Sequence, residues 1–413
     1  MRKFFLIIAS LVLFVTVFAS CWGAGKPVTL KFLQYSPEYT DQMHEMGREY
    51  HKQFPNVTLD FEILQTDFRT VLKTRFNSGD IPDVFMTSAY NDNKVFADYC
   101  YDLTKEPFMK KIYPSALTSV TYKGKILGYP VFSQSYGFIY NKKLFAAAGI
   151  TKVPKTLSEL EAACKKLQAK GIISFSNGYK EWWVFKHVFS HCLAAEEGNY
   201  QKTAEELSNG KKKFSDLKTA MQVFKVIDLT LKYGQPKPLE TDFNNQIALV
   251  ANGKAAICTG QGTWAEGGIR KINPDIELGF IGEPVNEDPA KARLMIDSNV
   301  IYRIYKDGKN RKEVINWLNW LTTSKYGKNF VSGKIKEIST LIGASAPDAQ
   351  LAKETSKFLA SKETYPWVQG YWPDGFDQQL GSILQAYIAG MKTKDQCIQE
   401  INQTWVKLAK AQE

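Results

Sequence analysis

Residues 28–64, VTLKFLQYSPEYTDQMHEMGREYHKQFPNVTLDFEIL, decide the fold class of this chain. Apolar and polar side chains alternate in residues 28–33 and again in residues 57–64, which predicts two β-strands. The tract YSPEY after the first run breaks the alternation, and residues 40–54 have the helical character that an α-helix needs. A strand, a helix and a second strand in this order are typical of the start of an α/β domain.

Similar signals continue along the chain, so its α/β character is not confined to the first part. Residues 67–73 open another helix, and residues 79–86 turn and enter a short apolar strand. Gly149 stops a predicted helix, and Thr156 with Glu159 fits a capping box at the start of the next one. With 413 residues, of which 44% are hydrophobic, the chain can bury a large core and is expected to form two or three domains.

The first 21 residues have the three-part layout of a secretory signal peptide. Two basic residues precede an apolar run, residues 4–18, that is too short for a comfortable membrane span. Residues 18–21 resemble a bacterial lipobox, in which Cys21 would be diacylated and become the mature N-terminus. Residues 22–27 would then tether the lipid to the fold. An ordinary signal peptide with a chance cysteine is the alternative.

Charge and cysteine content argue against several classes of function. The net charge is +11, from 53 Lys and Arg against 42 Asp and Glu, but the basic side chains are scattered, so no nucleic-acid partner is expected. Beyond Cys21 the cysteines form no CxxC pair, so neither a zinc framework nor a dithiol redox motif is indicated. Buried free thiols are expected, and the sequence leaves one disulfide open among Cys100, Cys164, Cys192, Cys258 and Cys397.

Motifs for catalysis, metal or nucleotide binding are weak. His187 and His191 can share a helix face, but no Glu follows His187, so helix packing is favoured over metal binding. Residues 260–265, GQGTWA, fit G-x-G-x-x-A, yet Trp264 would crowd a pyrophosphate, so a glycine-rich turn that presents this ring is favoured. No catalytic residue, cofactor or metal is therefore predicted. Three acids leave a two-carboxylate glycosidase open as an alternative: Asp67, Asp297 and Asp374.

The aromatic residues are more informative. Five tryptophans lie at turns or next to Gly, Pro or charged residues: Trp182, Trp183, Trp264, Trp367 and Trp372. One core-facing stripe of a helix cannot easily bury two adjacent rings such as Trp182 and Trp183. By contrast, Trp317 and Trp320 are three residues apart on an amphipathic helix and are expected in the core, like Trp405 in the last helix.

Flat rings beside polar side chains suit a ligand with an apolar face and a polar rim. A pyranose is such a ligand, because a ring covers its C–H face and gains roughly 25 cal/mol per Å² of apolar area removed from water. Carboxylates and amides then bond its hydroxyls, since each unmet buried partner costs about 1–3 kcal/mol. The candidates are Tyr35, Asp67, Ser88, Gln134, Trp182, Trp183, Trp264, Asp297, Trp372 and Asp374. Of the adjacent pair, Trp183 is the preferred ligand contact and Trp182 the second choice.

Several motifs occur in an order that resembles a known family. Along the chain these are GDIPDV at 79–84, YNKKLF at 140–145, AGI at 148–150, NGKAAIC at 252–258 and GQGTW at 260–264. The carboxyl end, residues 380–405, has the character of the family's closing helices. The succession resembles the extracellular solute-binding proteins of sugar ABC importers, the group related to maltose-binding protein.

The resemblance implies an α/β fold of the two-lobed, type II periplasmic-binding-protein kind, with discontinuous lobes and a multi-strand hinge. Lobe 1 would comprise residues 28–135 plus 280–338, and lobe 2 residues 136–279 plus 339–413. The chain would cross between the lobes near residues 133–137, 278–281 and 337–341. Closure of the hinge around a ligand is a known transition of such receptors.

The resemblance also implies where the ligand would lie. Family members often use the turn after the first strand, which here holds Tyr35 and Glu38, and the crossover segment that holds Gln134. They also use the Gly-x-Trp turn at Trp264 and the loop before the closing helices, here residues 372–375.

The implied function is that of a monomeric, non-enzymatic receptor that captures a carbohydrate between its lobes. It would deliver the sugar to a membrane permease that an ATPase partner powers. Its place would be the bacterial cell envelope, lipid-anchored to a membrane and facing the periplasm or the exterior. A receptor for a polyamine or a glycerol phosphoester, and less strongly a glycoside-processing hydrolase, are the alternatives.

Overall fold

The β-α-β unit predicted from residues 28–64 is present at the start of the fold. The structure is a computed structural model that describes residues 26–64 and 68–412, and at Asn299 the backbone. Strand β1 (Val28–Gln34) pairs in parallel with β2 (Val57–Ile63), and helix α1 (Thr40–Gln53) connects them. The predicted signal peptide, Cys21 and Asp67 lie outside the described residues.

Twelve strands occur in the described part of the chain, and ten of them form one mixed sheet in which β2-β1-β3-β10-β6-β8-β7 is the main path. Strands β9 and β11 pair with β6, and β12 pairs with β10. The remaining strands are β3 (Val84–Thr87), β4 (Thr121–Tyr122), β5 (Lys125–Ile126), β6 (Tyr129–Asn141), β7 (Ile173–Ser176), β8 (Ala255–Gly262), β9 (Leu278–Ile281), β10 (Leu294–Ile304), β11 (Ile338–Ser339) and β12 (Thr364–Tyr365).

The other α-helices, in chain order, are α2 (Phe68–Ser78), α3 (Asn91–Val95), α4 (Pro114–Thr118), α5 (Lys142–Ala147), α6 (Leu157–Gln168), α7 (Trp182–Glu197), α8 (Tyr200–Ser208), α9 (Lys218–Lys232), α10 (Phe243–Ala251), α11 (Ala265–Ile272), α12 (Arg311–Thr323), α13 (Lys325–Asn329), α14 (Gln350–Ala360), α15 (Phe376–Ile388) and α16 (Lys394–Lys410). In the described residues no helix is both long and apolar enough to cross a membrane.

Local signals in the sequence have the expected structural effect. Gly149 adopts a left-handed backbone with φ +67° directly after α5, which ends the helix as predicted. Thr156 caps α6 by accepting a hydrogen bond from the backbone N–H of Glu159, at 3.1 Å. The Glu159 carboxylate bonds the N–H of Lys155 and not that of Thr156, so only half of the predicted capping box forms.

Four hydrophobic clusters occur in the described residues, and the two largest are the cores of the two lobes. The first-lobe core contains Phe32, Tyr302 and the buried Trp317, and the second-lobe core contains Phe185 and the buried Trp405. Trp317, Trp320 and Trp405 are therefore core residues, which confirms that prediction. The two cores are large and distinct, as a fold of two packed lobes requires.

Long strands carry the chain from one core to the other. The first half of β6, including Phe132, packs in the first-lobe core, and its second half, including Phe138, packs in the second-lobe core. In β10 Met295 belongs to the second-lobe core and Val300 to the first. The strand β9, where the sequence predicts the second crossing, packs in the second lobe. We therefore propose that this crossing lies in β10, and the predicted lobe boundaries remain a proposal.

Candidate functional site

A cavity lies between the lobes and is bounded by segments from both of them. The space not occupied by atoms is about 630 Å³, which includes open solvent at its mouth. The segment after β3 lines it from the first lobe, and the segment before α15 lines it from the second. Four of the predicted site residues line this cavity: Ser88, Asp297, Trp372 and Asp374. The fold thus brings together residues that are far apart in the sequence.

An aromatic cluster, here called the aromatic wall, consists of Tyr136, Trp183, His187, Trp264 and Trp367. The rings of Tyr136 and His187 are stacked, with centroids 4.1 Å apart. The Trp264 ring lies 5.5 Å from His187 and 6.4 Å from both Trp183 and Trp367. Trp183 and Trp264 are only half-buried. Tyr136 and Trp367 also belong to the second-lobe core, so the flat apolar surface that the aromatic wall leaves partly uncovered comes from the Trp183 and Trp264 rings.

Trp264 holds a central position because of the glycine that precedes it. A Cβ atom on Gly262 would lie 2.3 Å from the Trp264 ring, so only glycine allows the ring to lie over the end of β8. The indole N–H donates to Gln261 Oε1 at 2.9 Å, and the ring packs against core residues of both lobes. Residues 260–265 therefore present the Trp264 ring at the end of β8.

The adjacent Trp182 and Trp183 begin α7 and point to different surroundings. Trp183 Nε1 donates to Glu181 Oε2 at 3.2 Å, and its ring belongs to the aromatic wall. Trp182 packs against α15, where Gly381 has no side chain and lets the two helices approach closely. The Lys186 ammonium lies 5.3 Å from the centroid of the Trp182 ring. This geometry agrees with the preference for Trp183 as the ligand contact, which stays a prediction.

A network of charges, here called the ionic clamp, joins the lobes at the cavity rim: Arg69, Lys73, Asp92 and Asp374. Arg69 of α2 bonds Asp92 at 2.7 Å and also bonds Asp374, which belongs to the segment before α15. Lys73, one turn later on α2, bonds the other oxygen of Asp374. Burial acts to raise the pKa of Asp374, but the two cations outweigh it and lower this pKa. Asp374 is therefore a charged contact between the lobes.

Asp297 of β10 lies at the cavity and already accepts three hydrogen bonds. Its carboxylate accepts from the Tyr90 hydroxyl at 2.6 Å, from the N–H of Ser298 at 2.8 Å and from the N–H of Trp367 at 3.3 Å. Burial raises the pKa of Asp297, although these hydrogen bonds act against the rise. A buried carboxylate in this position can accept further hydrogen bonds from a polar ligand.

Gln134 and Glu38 lie at a different place, where β6 crosses between the lobes. Gln134 is buried and donates to the Tyr39 hydroxyl at 3.2 Å and to Glu337 Oε1 at 3.3 Å. Tyr39 donates to the same Glu337 oxygen at 2.6 Å. Burial raises the pKa of Glu337 to about 8 and that of Glu38 to about 7. Gln134, Tyr39 and Glu337 form a buried polar network where β6 crosses between the lobes, and the half-buried Glu38 lies beside it; none of them lines the cavity.

Three further predicted residues have packing roles as well. Tyr35 stands edge-on to Phe68 at 5.2 Å, and its hydroxyl donates to the Thr87 carbonyl at 3.3 Å. The N–H of Ser88 donates to Asp92 at 2.8 Å, which links this loop to the ionic clamp. Trp372 is only 3% exposed, so one edge lines the cavity while its ring packs in the second-lobe core.

Sequence reasoning missed several cavity residues: Arg69, Tyr90, Asp92, Lys186, Trp367, Gln369 and Asp377. Arg69 and Lys186 lie on helices, where charges are usually solvated. Trp367 carried a usable signal, because it follows a proline at a turn. Burial lowers the pKa of Lys186, which also approaches Asp377 to 4.0 Å. The positions of these residues depend on contacts between distant segments.

The loop of the second lobe between β12 and α15 contains three buried N–H donors that have no hydrogen-bond partner among the described residues. They are Nε1 of Trp367, Nε2 of Gln369 and Nε1 of Trp372, and all three residues line the cavity. A buried donor without a partner costs about 1–3 kcal/mol, and such groups in a folded protein need an explanation. Because their residues line the cavity, ligand oxygen atoms that reach these N–H groups would satisfy them.

The histidines and cysteines are used for packing. His187 Nδ1 lies 2.8 Å from the Gly260 carbonyl, and burial lowers the pKa of His187 well below its usual value. His191 lies 3.0 Å from the buried Glu283. Within residues 26–64 and 68–412 no group of three or more His, Cys, Asp or Glu side chains is arranged to hold a metal. The five cysteines left open for a disulfide are all buried free thiols, as predicted.

The fold and the interlobe cavity define a two-lobed binding protein of the type II class. A family model described as bacterial extracellular solute-binding protein matches residues 36–328. The chain therefore belongs to this family. The family accounts for an extracellular or periplasmic location and for a cleft between two lobes.

Individual relatives match most of the chain at low identity. The multiple sugar-binding protein of Streptococcus mutans serotype c is 21% identical over 356 residues, which cover 84% of this chain and 83% of that protein. The maltotriose-binding protein of Pyrococcus abyssi is 23% identical over 312 residues, which cover 74% of this chain and 64% of that protein.

Solved structures confirm the fold over almost the whole chain. The solute-binding protein RafE in complex with raffinose has a TM-score of 0.79 at 21% identity and covers 92% of this chain and 100% of its own. A chitin oligosaccharide binding protein has a TM-score of 0.80 at 21% identity and covers 94% of this chain and 100% of its own. The predicted two-lobed type II fold is thereby confirmed.

Proposed function

We propose that this protein is the carbohydrate receptor of an ABC importer. A saccharide would enter the open cleft, stack on the aromatic wall and be enclosed when the lobes close. Closure follows if the ligand makes more contacts in the closed state than in the open one. The saccharide then passes to a membrane permease that an ATPase partner drives.

The observation that carries this proposal is the loop with three buried, unpartnered N–H donors beside the aromatic wall. Trp367, Gln369 and Trp372 supply the donors, and Asp297 supplies an acceptor at the same cavity. A pyranose has hydroxyl oxygens that both accept and donate hydrogen bonds, and C–H faces that stack on rings. Flat apolar surface, free donors and a carboxylate therefore match one class of ligand.

The relatives support a carbohydrate ligand. Their names or structures refer to multiple sugars, maltotriose, raffinose, stachyose and chitin oligosaccharide. The predicted site residues Tyr35, Glu38, Ser88, Gln134, Trp182, Trp183, Trp264, Asp297, Trp372 and Asp374 remain proposed contacts or supports of the site, and Asp67 lies outside the described residues. We further propose that Cys21 carries a lipid anchor and that the protein acts as a monomer without enzymatic activity.

The charges at the cavity argue against a phosphoester ligand. Arg69 is held by Asp92 and Asp374, and Lys186 faces Asp377. A glycerol phosphoester would need cations that these carboxylates do not already neutralise. A polyamine would meet carboxylates and rings, but also the Lys186 ammonium inside the cavity. A saccharide requires neither an unpaired cation nor a net negative cavity.

A thermal-shift screen tests the proposal. The purified protein is heated with raffinose, stachyose, maltotriose and chitin oligosaccharides, and in parallel with spermidine and glycerol 3-phosphate. A saccharide at 100 times its Kd should add about 2.7 kcal/mol to the free energy of unfolding. Shifts with spermidine or glycerol 3-phosphate and none with any saccharide would refute the proposed ligand class. Release of sugar product that Asp297→Asn abolishes would refute the non-enzymatic role.

A further inference from the structure

Tyr90 is a first-lobe residue that contacts the segment before α15 in the second lobe. It lies between β3 and α3, and its ring stacks on Tyr371 of the second lobe with centroids 4.9 Å apart and planes at 28°. A Cβ atom on Gly370 would lie 2.4 Å from the Tyr90 ring. The segment before α15 thus has a slot, formed by Gly370 and Tyr371, that the Tyr90 ring fills.

The backbone of Tyr90 is held in an unfavourable conformation. Its φ is 55° and its ψ is −99°, a region that residues with a side chain rarely adopt. Such strain persists only where surrounding contacts determine it, and it occurs often at ligand sites and switches. For Tyr90 these contacts are the Tyr371 ring and the bond to Asp297.

The contacts of Tyr90 are those that a sugar ring would make in the same place. A flat ring face is provided by Tyr371, and the hydroxyl donates to the buried Asp297 carboxylate at 2.6 Å. The N–H of Trp367 bonds the same Asp297 oxygen, and the unpartnered indole N–H of Trp367 lies in the same loop. A stacking surface, an acceptor and a donor therefore surround the Tyr90 side chain.

We propose that Tyr90 occupies a sugar subsite between Tyr371, Gly370 and Asp297 and that it determines the length of saccharide the cleft accepts. This inference rests on the proposed carbohydrate function. A shorter saccharide binds on the aromatic wall and leaves Tyr90 in place. A longer one must displace the Tyr90 ring, so its apparent affinity falls by the fraction of molecules in which the subsite is free.

Two other roles for Tyr90 make different predictions. If Tyr90 contacts the ligand directly, its removal weakens binding of every saccharide. If Tyr90 only holds the lobes together, its removal changes the affinity for short and long saccharides by the same factor. Displacement alone predicts that removal of the Tyr90 ring raises the affinity for longer saccharides relative to shorter ones.

The test uses Tyr90→Gly, Tyr90→Phe and the matched control Lys123→Gly. Glycine removes the ring and accepts the positive φ without strain, whereas phenylalanine keeps the stacking but loses the bond to Asp297. Lys123 also has a positive φ, 47°, but it lies in the turn between β4 and β5 and does not line the cavity. Calorimetric titration gives Kd for sucrose, raffinose and stachyose, which grow by one ring at each step, and for maltose, maltotriose and maltotetraose.

The measured quantity is the affinity for the longer of two successive saccharides divided by the affinity for the shorter. Tyr90→Gly is expected to raise this ratio about tenfold at one step of a series. Tyr90→Phe should raise it less, and Lys123→Gly should leave it unchanged. A ratio that stays constant at every step, or a parallel loss for all lengths, overturns the subsite and leaves the carbohydrate function standing. Absence of saccharide binding by the unaltered protein refutes the function itself, and the subsite with it.

Discussion

The aromatic wall and the ionic clamp meet at one cavity, which Trp367 of the wall and Arg69, Asp92 and Asp374 of the clamp line, but different forces hold them together. The wall is built from close ring packing within the second lobe and the crossing strand β6, and a glycine fixes Trp264 in it. The clamp is built from charges on opposite lobes, and the side chains of Arg69 and Lys73 are 28% and 50% exposed. Water reaches the two cations and weakens these ion pairs, although the Asp374 side chain itself is only 9% exposed. The comparison indicates a preformed binding surface and an interlobe contact that opens at small cost.

The largest effect is expected from a change in the wall. Trp264→Ala should lower saccharide affinity at least about 100-fold and reduce the free energy of unfolding by about 3 kcal/mol, since the ring packs against both lobes. Calorimetric titration and urea denaturation measure the two changes. Trp320→Ala, which affects a tryptophan that is buried in the first lobe, should reduce stability and leave affinity unchanged. Equal losses of affinity in both variants would contradict a special role for the wall.

A smaller effect should distinguish the two adjacent tryptophans. Trp183→Ala should weaken saccharide binding about tenfold, because Trp183 belongs to the wall, whereas Trp182→Ala should weaken it less than about threefold. Titration of both variants with the same saccharide gives the comparison. The opposite order would assign the ligand to the side of the cleft that Lys186 and α15 form.

The clamp should affect shape more than affinity. Asp374→Asn removes the charge that Arg69 and Lys73 share, so the ligand-free protein should shift toward open conformations and a larger radius of gyration in X-ray scattering. Saccharide affinity should change only a few-fold, because the clamp is worth about 1 kcal/mol or less. Asp348→Asn, at an exposed pair with Lys353, is the matched control and should change neither quantity. An unchanged radius for Asp374→Asn would mean that the clamp does not hold the lobes together.

The smallest effect on affinity is expected at Glu337 in the hinge. Here the measured quantity is the pH dependence of the free energy of unfolding. Burial raises the folded-state pKa of Glu337 from 4.5 to about 8, so the folded protein keeps a proton that the unfolded chain releases above pH 4.5. The contribution to stability is complete below pH 4.5 and is lost as the pH rises through 8. Between these pH values the free energy of unfolding falls by at most about 1.4 kcal/mol per pH unit because of Glu337.

Glu337→Gln should remove this slope, because the amide oxygen still accepts from Tyr39 and carries no charge. Urea denaturation at pH 5, 7 and 9 measures it for both proteins. Saccharide affinity at neutral pH should stay nearly constant. An equal loss of stability with pH in both proteins would show that Glu337 does not control it.

Much of the fold follows from local patterns in the sequence. The alternating runs at 28–33 and 57–64 are strands, the spacing of Trp317 and Trp320 indicates a buried helix face, and Gly262 before Trp264 indicates a close approach of ring and backbone. These features depend on neighbours within a few residues. Local periodicity and turn chemistry therefore suffice to predict them.

The remaining parts of the site depend on contacts between distant segments. Arg69 and Asp374 are separated by 305 positions in the sequence, and Tyr90 and Asp297 by 207. Each of these side chains has an ordinary local environment in the sequence, so nothing near it indicates its partner. Aromatic residues at turns can be found from sequence, whereas the charged and hydroxyl partners that position them require the folded chain.

The most direct test of this account is a crystal structure of the protein with the saccharide that gives the largest thermal shift. The account predicts one saccharide between the lobes, with a pyranose stacked on Trp183 or Trp264 and its oxygens bonded to the N–H groups of Trp367, Gln369 or Trp372. A saccharide bound elsewhere on the surface, with the aromatic wall empty and these N–H groups still without partners, would contradict it.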